Sequence, residues 1–139
     1  MVELKLRSAT SGDRTVVSVQ GEIDLYTAPR LHGELARLLA DGAPRKIVVD
    51  MAGVEFCDST GMNVLLAAHR RAREQGGDLE LAGPRPTVQK ILLVTGLESV
   101  FAVYNVVQDT FPRDPVLTDT VLTDTVLSDT VLDDPAALR

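Results

Sequence analysis

The spacing of apolar positions changes between strand-like and helix-like along most of the chain. Two short apolar segments flank a Ser-Gly-Asp turn signal at 11–13, which predicts an opening β-hairpin. Leucines then recur at helical spacing behind Thr27 and Pro29 and stop before Gly42. This pattern predicts a first helix with Thr27 as its N-cap residue.

The middle of the chain predicts a buried strand followed by a second helix. Residues 47–49 form a continuous apolar run, which is typical of a central strand covered on both faces. Residues 54–57 then lead into an Asp-Ser-Thr-Gly motif at 58–61, after which apolar side chains recur at helical spacing as far as Gly76. We therefore expect the second helix to begin at the two hydroxyl residues.

A further strand, a third helix and a last strand complete the pattern. In chain order they are indicated by Leu79 and Leu81, by Pro86 to Gly96, and by Phe101, Val103 and Val106. The expected buried stripe of the third helix consists of Val88, Ile91, Leu92 and Thr95. The order β-β-α-β-α-β-α-β predicts an α/β fold, a mixed sheet with an opening hairpin, parallel later strands and helices packed on the sheet.

The chain changes character after residue 108. Residues 109–139 hold two basic and seven acidic side chains, and a Val-Leu pair recurs there every five residues. A period of five matches neither a helix nor a strand, and the segment offers little to bury. We expect one domain over 1–108 and a disordered, acidic low-complexity tail over 109–139, with an added docking segment as the alternative for the tail.

Composition excludes several classes of function. The 139 residues carry a net charge of −6, which argues against a nucleic-acid duplex or an anionic membrane as the main partner. Neither a membrane-spanning segment nor a signal peptide is visible, so we expect a cytoplasmic protein. A single cysteine, Cys57, excludes an internal disulfide, and with only His32 and His69 a metal site built on His and Cys is not expected.

The motif at 58–61 is the strongest candidate for chemistry. It stands between a strand end and a helix start, a junction that exposes backbone N–H groups and often carries function in open sheets. Helix capping is the structural explanation for the same residue types. A hydrolase is not supported, because His32 and His69 lie inside predicted helices and Ser59 is not in a Gly-x-Ser-x-Gly sequence. We expect no enzyme activity, no cofactor and no metal.

Several motifs occur in a fixed order along residues 3–108. They are Gly21-Glu22-Ile23-Asp24, Ile47-Val48-Val49-Asp50, Phe56-Cys57-Asp58-Ser59-Thr60-Gly61-Met62, Gly76-Gly77, and Thr95-Gly96-Leu97 before Val100-Phe101. Together they resemble the bacterial anti-sigma factor antagonists, which are small stand-alone STAS domains. One departure is Met62-Asn63, where Leu-Gly is usual in that family.

The resemblance implies a phosphorylated serine. In that family the first Ser of Asp-Ser-Ser/Thr-Gly is phosphorylated by an anti-sigma factor that is also a Ser/Thr kinase, and a metal-dependent phosphatase reverses the reaction. The matching residue is Ser59, with Thr60 as the less favoured acceptor. Asp24 matches an Asp near the family's phosphorylation site. The expected partner-binding surroundings of Ser59 are Asp24, Asp58, Thr60, Gly61 and Met62.

The implied function is a non-catalytic partner switch. With Ser59 unmodified the protein binds its anti-sigma factor and releases a sigma factor, and phosphorylation ends the binding. A phosphate adds about −1.5 to −2 charges and is favoured at a helix N-terminus, so we expect it to repel an acidic partner rather than to unfold the helix. The alternative is a non-switching structural STAS subunit of a lipid-transport or stress-sensing assembly, in which Ser59 only caps the helix.

Overall fold

The structure is a computed structural model that describes residues 3–105. The predicted tail at 109–139 and the candidate strand residue Val106 lie outside these residues. Five strands and three α-helices alternate after an opening hairpin, in the predicted order. They are β1 (Lys5–Ser11), β2 (Arg14–Ile23), α1 (Ala28–Leu39), β3 (Lys46–Cys57), α2 (Ser59–Glu74), β4 (Asp78–Ala82), α3 (Pro86–Thr95) and β5 (Val103–Tyr104), with a short 3-10 helix at Leu97–Ser99 before β5.

The strands form one mixed sheet in the order β1-β2-β3-β4-β5. β1 and β2 pair antiparallel as a hairpin, whereas β2, β3, β4 and β5 pair parallel. Each parallel pair is joined through a helix, since a parallel return needs a long crossover. The predicted α/β fold is confirmed, including the central place of β3.

β3 is longer than the sequence predicts. The apolar run at 47–49 and the segment 54–57 belong to a single strand of twelve residues. The pairing of β2 with β3 shifts register twice, between Ser18 and Gln20 and between Gly21 and Glu22. Gln20 is paired with Gly53, where an added Cβ would lie 2.7 Å from Cγ of Gln20. After the second shift, Ile23 is paired with Cys57. The two strands therefore end side by side at the same edge of the sheet.

The third helix is buried along a narrower stripe than predicted. Val88 and Leu92 are buried and Ile91 is partly buried, but Thr95 is exposed, so its predicted burial is wrong. The Thr95 hydroxyl donates to the carbonyl oxygen of Ile91 at 2.7 Å, which satisfies it within the last turn of the helix. The helix ends, as predicted, at a Gly96 with φ of 78°.

Two further residues differ from their predicted roles. Thr27 occupies the N-cap position of α1, but its side chain does not cap the helix; the hydroxyl donates to the carbonyl oxygen of Glu22 at 2.8 Å. Phe101 precedes β5 instead of belonging to it. It is buried, and its ring meets the ring of His69 edge-on at a centroid distance of 5.1 Å. Phe101 therefore connects the approach to β5 with α2.

Candidate functional site

The site lies where β2 and β3 end. The backbone N–H of Asp58 donates to the carbonyl oxygen of Ile23 at 3.0 Å, just past the Ile23–Cys57 pair. Asp24 and Asp58 therefore follow neighbouring strand ends. Carboxyl ends of parallel strands form one edge of a sheet, where α/β proteins commonly place their functional groups. The structure thus brings the two predicted aspartates to the same edge.

Asp58 is the N-cap residue of α2. Its backbone is extended, and its Oδ1 accepts from the backbone N–H of Gly61 at 3.0 Å. The helix begins at Ser59, as expected, but the carboxylate rather than a hydroxyl caps it. Ser59 is exposed, Thr60 is half-buried, and the Ser59 hydroxyl has no hydrogen-bond partner among residues 3–105. Ser59 is thus presented to solvent at the positive end of the helix dipole.

Gly61 and Met62 lie beneath this helix start. Both are buried, Met62 with 2% of its surface exposed. A Cβ on Gly61 would lie 2.5 Å from Cγ2 of Ile23 and 2.7 Å from Sγ of Cys57. The close approach requires glycine, since nothing larger fits without displacing strand-end side chains. Gly61 therefore supports the position of Ser59 by packing.

Asp24 organises the loop between β2 and α1. Its Oδ1 accepts from the backbone N–H groups of Tyr26 at 2.9 Å and Thr27 at 3.0 Å. The backbone N–H of Asp24 in turn donates to the Thr27 hydroxyl oxygen at 2.9 Å. This loop leaves Leu25 and Tyr26 with 63% and 73% of their surfaces exposed. The carboxylate of Asp24 therefore holds two apolar side chains in solvent.

An open groove runs from Ser59 toward α3. Its volume is about 390 Å³, and it lies between the start of α2 and the last turn of α3. Its lining includes Phe56, Ser59, Met62, Leu66, Ile91 and Leu97. Phe56 is 42% exposed although it belongs to β3. A partner that covers Ser59 would also meet this apolar surface.

Neither the cysteine nor the two histidines can act as a base for Ser59. Burial raises the pKa of the Cys57 thiol to about 12, and the neighbouring Asp58 adds to the rise, so the thiol stays protonated. His69 lies ten residues along α2 from Ser59, a rise of about 15 Å. His69 instead faces Asp78, with Nε2 and Oδ1 at 3.6 Å. His32 is exposed on α1, as expected.

Residues 3–105 show neither a metal site nor a membrane-spanning helix. This part of the chain contains no group of three or more His, Cys, Asp or Glu side chains arranged to hold a metal ion. Among the same residues, no helix combines the length and apolar character needed to cross a bilayer.

The comparisons with known proteins identify the family. A model of the STAS domain matches residues 5–110. The chain belongs to the STAS domain family. It is 32% identical over 87 residues to the anti-sigma-B factor antagonist of Bacillus subtilis, covering 63% of this chain and 78% of that protein. It is 28% identical over 102 residues to the anti-sigma-B factor antagonist of Staphylococcus aureus, covering 73% and 94%.

Solved STAS structures agree with this assignment. A crystal structure of an anti-sigma factor antagonist from Mycobacterium paratuberculosis is 30% identical, with a TM-score of 0.70 over 77% of this chain and 90% of that one. The anti-sigma factor antagonist SpoIIAA in its unphosphorylated form is 22% identical, with a TM-score of 0.61 over 74% and 87%, and supports the fold alone. The family inferred from the ordered motifs is confirmed.

Sequence reasoning missed three components of this STAS site. Leu25 and Tyr26 stand in a turn, where two adjacent apolar residues produce no period to detect. Phe56 belongs to the motif around Ser59, but its place in a strand gives no sign that its side chain is exposed beside the groove. The contribution of α3 to the groove depends on tertiary packing. A signal was nevertheless present for the first pair, because exposed turns are normally polar and a Leu-Tyr pair in one is unusual.

Proposed function

We propose that this STAS protein is an anti-sigma factor antagonist that binds an anti-sigma factor with serine kinase activity, and that phosphorylation of Ser59 ends the binding. The names of its relatives support the antagonist function. The observation that carries the switch is the exposed Ser59 at the start of a helix that Asp58 already caps. Its hydroxyl is therefore accessible to a kinase without loss of a structural hydrogen bond.

The proposed modification is a phosphoryl transfer in which ATP is bound by the partner. The Ser59 Oγ attacks the γ-phosphorus, a new O–P bond forms, and the bond from that phosphorus to the β-phosphate oxygen breaks to give ADP. The hydroxyl proton passes to a base of the kinase. A metal-dependent phosphatase then hydrolyses phosphoserine with water, which restores the hydroxyl and releases inorganic phosphate.

The phosphate is expected to act on binding rather than on folding. A doubly charged group on the first residue of α2 is favoured by the helix dipole, and the Asp58 cap of the Gly61 N–H does not involve Ser59. During transfer, however, Ser59 has to face the nucleotide phosphates of the kinase. Once modified, it presents like charge to these phosphates and to acidic groups around them, which favours release.

Phosphotransfer to Ser59 tests the proposal. We expect purified candidate anti-sigma kinases from the same organism, supplied with radiolabelled ATP, to include one that labels the wild-type protein and the Thr60→Ala variant. The same kinase should leave Ser59→Ala unlabelled. Labelling of Ser59→Ala with loss in Thr60→Ala would move the acceptor to Thr60. Failure of all these kinases to label the wild type would overturn the switch.

The structural-subunit alternative has less support from the site. It assigns Ser59 a capping role, yet the carboxylate of Asp58 fills that role and the Ser59 side chain is exposed. A structural subunit whose interface leaves Ser59 uncovered would be indifferent to a negative charge at that residue. Co-purification of a stable complex from cells, unaffected by Ser59→Asp, would favour that alternative.

A further inference from the structure

Three large apolar side chains are exposed near the ends of β2 and β3. They are Leu25, Tyr26 and Phe56, which we call the apolar patch. Leu25 and Tyr26 belong to the loop after β2, and Phe56 lines the groove beside Ser59. Grouped apolar side chains in solvent typically mark interaction surfaces. The Asp58–Ile23 backbone hydrogen bond joins the two strand ends that carry them.

The patch is bordered by carboxylates. Glu22 and Asp24 flank the end of β2, while Glu55 and Asp58 flank the end of β3. All four are at least partly exposed. The sequence contains no Lys or Arg at 15–29 or at 52–69, so no nearby residue in these two segments neutralises them. A partner that fits this surface needs an apolar pocket with basic side chains opposite Glu22 and Asp24, while the side that faces Ser59 holds the nucleotide and acidic groups.

We infer that Leu25 and Tyr26 are the apolar anchor of the surface that binds the anti-sigma factor, and that Asp24 is a positioning residue that holds this anchor in place. The inference rests on the proposed function, and it names the residues of this chain that would contact the anti-sigma factor. Aromatic side chains supply much of the binding energy in protein interfaces, and Tyr26 is the most exposed member of the patch. Its loop follows Ile23, whose carbonyl oxygen accepts from the N–H of Asp58, so docking at this loop would bring the kinase to the strand ends beside Ser59.

The role of Asp24 follows from its hydrogen bonds. Its Oδ1 binds the N–H groups of both Tyr26 and Thr27, which fixes the backbone that carries the exposed pair. The Thr27 hydroxyl extends the link to the carbonyl oxygen of Glu22 on β2. A loop that is already ordered loses less conformational entropy when a partner binds. Asp24 thus acts through the position of Tyr26 as well as through its charge.

Affinity for the kinase that labels Ser59 tests the anchor. Tyr26→Ser and Leu25→Ser should each weaken the Kd, with a loss of about tenfold or more expected at Tyr26, as for an interface hot spot. Leu93→Ser and Val94→Ser are matched controls, because these residues are 60% and 75% exposed but lie on α3, outside the apolar patch. Controls should stay within about twofold of wild type, as peripheral residues do.

Asp24 variants separate position from charge. Asn keeps an Oδ1 acceptor without the charge, whereas Ala removes the acceptor. We expect Asp24→Asn to bind within about threefold of wild type and Asp24→Ala to lose about tenfold, the net contribution of about one intramolecular hydrogen bond. Equal losses in both variants would overturn the positioning role.

The outcomes also separate this inference from the proposed function. Absence of any kinase that labels Ser59 contradicts the function itself. Labelling of Ser59 together with unchanged affinity in Tyr26→Ser and Leu25→Ser leaves the function standing and overturns the anchor. Weakening by the two α3 control variants to the same extent would also overturn it, because the loss would then be general to exposed apolar residues.

Discussion

Gly61 on α2 packs against Ile23 at the end of β2, so closely that a Cβ on Gly61 would lie 2.5 Å from Ile23 Cγ2. The same Cβ would be 2.7 Å from Cys57 Sγ at the end of β3. The first turn of α2 therefore rests directly on both strand ends. A change at this contact would move Ser59 relative to the end of β2, so Gly61 helps to set the geometry of the candidate site although it is buried beneath it.

Gly61→Ala should destabilise the protein. The extra methyl group has to displace buried strand-end side chains, and such overpacking costs about 1–3 kcal/mol. The free energy of unfolding from urea denaturation measures the effect. Gly33→Ala is the matched control, because Gly33 lies in α1 with open space around its Cβ position, and Ala is favoured over Gly in a helix by about 0.5–1 kcal/mol. Equal stability of Gly61→Ala and wild type would contradict the close contact.

Asp58 should be replaceable by Asn but not by Ala. Asn retains an oxygen that can accept from the Gly61 N–H, whereas loss of an N-cap acceptor typically costs about 0.5–2 kcal/mol. Thermal unfolding of Asp58→Asn and Asp58→Ala measures the difference. Ser59→Ala is the control and should unfold near the wild-type temperature, since its hydroxyl does not cap the helix. A larger loss in Ser59→Ala than in Asp58→Ala would reverse the assignment of the cap.

The local signals in the sequence predicted most of the STAS fold because they are themselves local. Helix α3 ends at Gly96, and β3 shows the continuous apolar run of a central strand. The Asp-Ser-Thr-Gly motif likewise marks the start of α2, because capping depends on adjacent residues. Where the residues that start or stop an element are adjacent to it in the sequence, the predicted end of that element is close to the observed one.

Contacts between distant residues were not predictable in this way. Glu80 alternates with apolar neighbours and looks solvent-facing, yet it is 3% exposed and its Oε2 lies 3.1 Å from Nζ of Lys46 on the adjacent strand. The loop at Asp24 depends on a carboxylate binding backbone groups further along the chain. The groove beside Ser59 requires α3 to pack near α2. Each of these features is set by tertiary structure rather than by periodicity.

Ser59→Asp should separate charge from folding. An acidic side chain in the first turn of a helix gains about 0.3–1 kcal/mol from the dipole, so the Tm should stay near or slightly above that of the wild type. Affinity for the anti-sigma kinase, measured by calorimetric titration, should fall. The fall should be partial, because one carboxylate carries less charge than a phosphate. Ser59→Asn is the uncharged control; if both variants bind equally well, charge does not drive release.

His69 should make stability depend on pH. Burial lowers the pKa of His69, and the cations Arg73 and Arg70 lower it further against the opposing effect of Asp78. The folded state thus favours neutral imidazole, while the unfolded chain takes up a proton near its usual pKa of about 6.5. The stability contributed by this residue is fully present above about pH 6.5 and is lost as the pH falls from there through the lower pKa of the folded state.

Denaturant midpoints across this pH window test the role of His69. The wild-type midpoint should fall on acidification, and part of the fall should be absent in His69→Gln. His32→Gln is the matched control, since His32 is exposed on α1, and it should follow the wild type. An identical pH dependence in wild type and His69→Gln would show that the imidazole charge is tolerated in its place between Asp78 and Phe101.

Removal of residues 109–139 should leave the STAS domain stable. This segment, which lies outside the described residues, carries five of the six net negative charges and has a five-residue period that no regular element uses. Its deletion should change the free energy of unfolding by less than about 1 kcal/mol, the scale of an ordinary surface change. The denaturation midpoints of the full chain and of 1–108 decide this if the unfolding free energy of both proteins depends equally steeply on denaturant concentration. A clearly lower midpoint for 1–108 would mean that the four Val-Leu pairs pack on the domain.

The same two proteins test a docking role for the tail. If the acidic tail helps kinase binding electrostatically, its removal should weaken binding at low salt and have no effect at high salt, where charges are screened. Equal affinity of the two proteins at low salt would contradict a docking role.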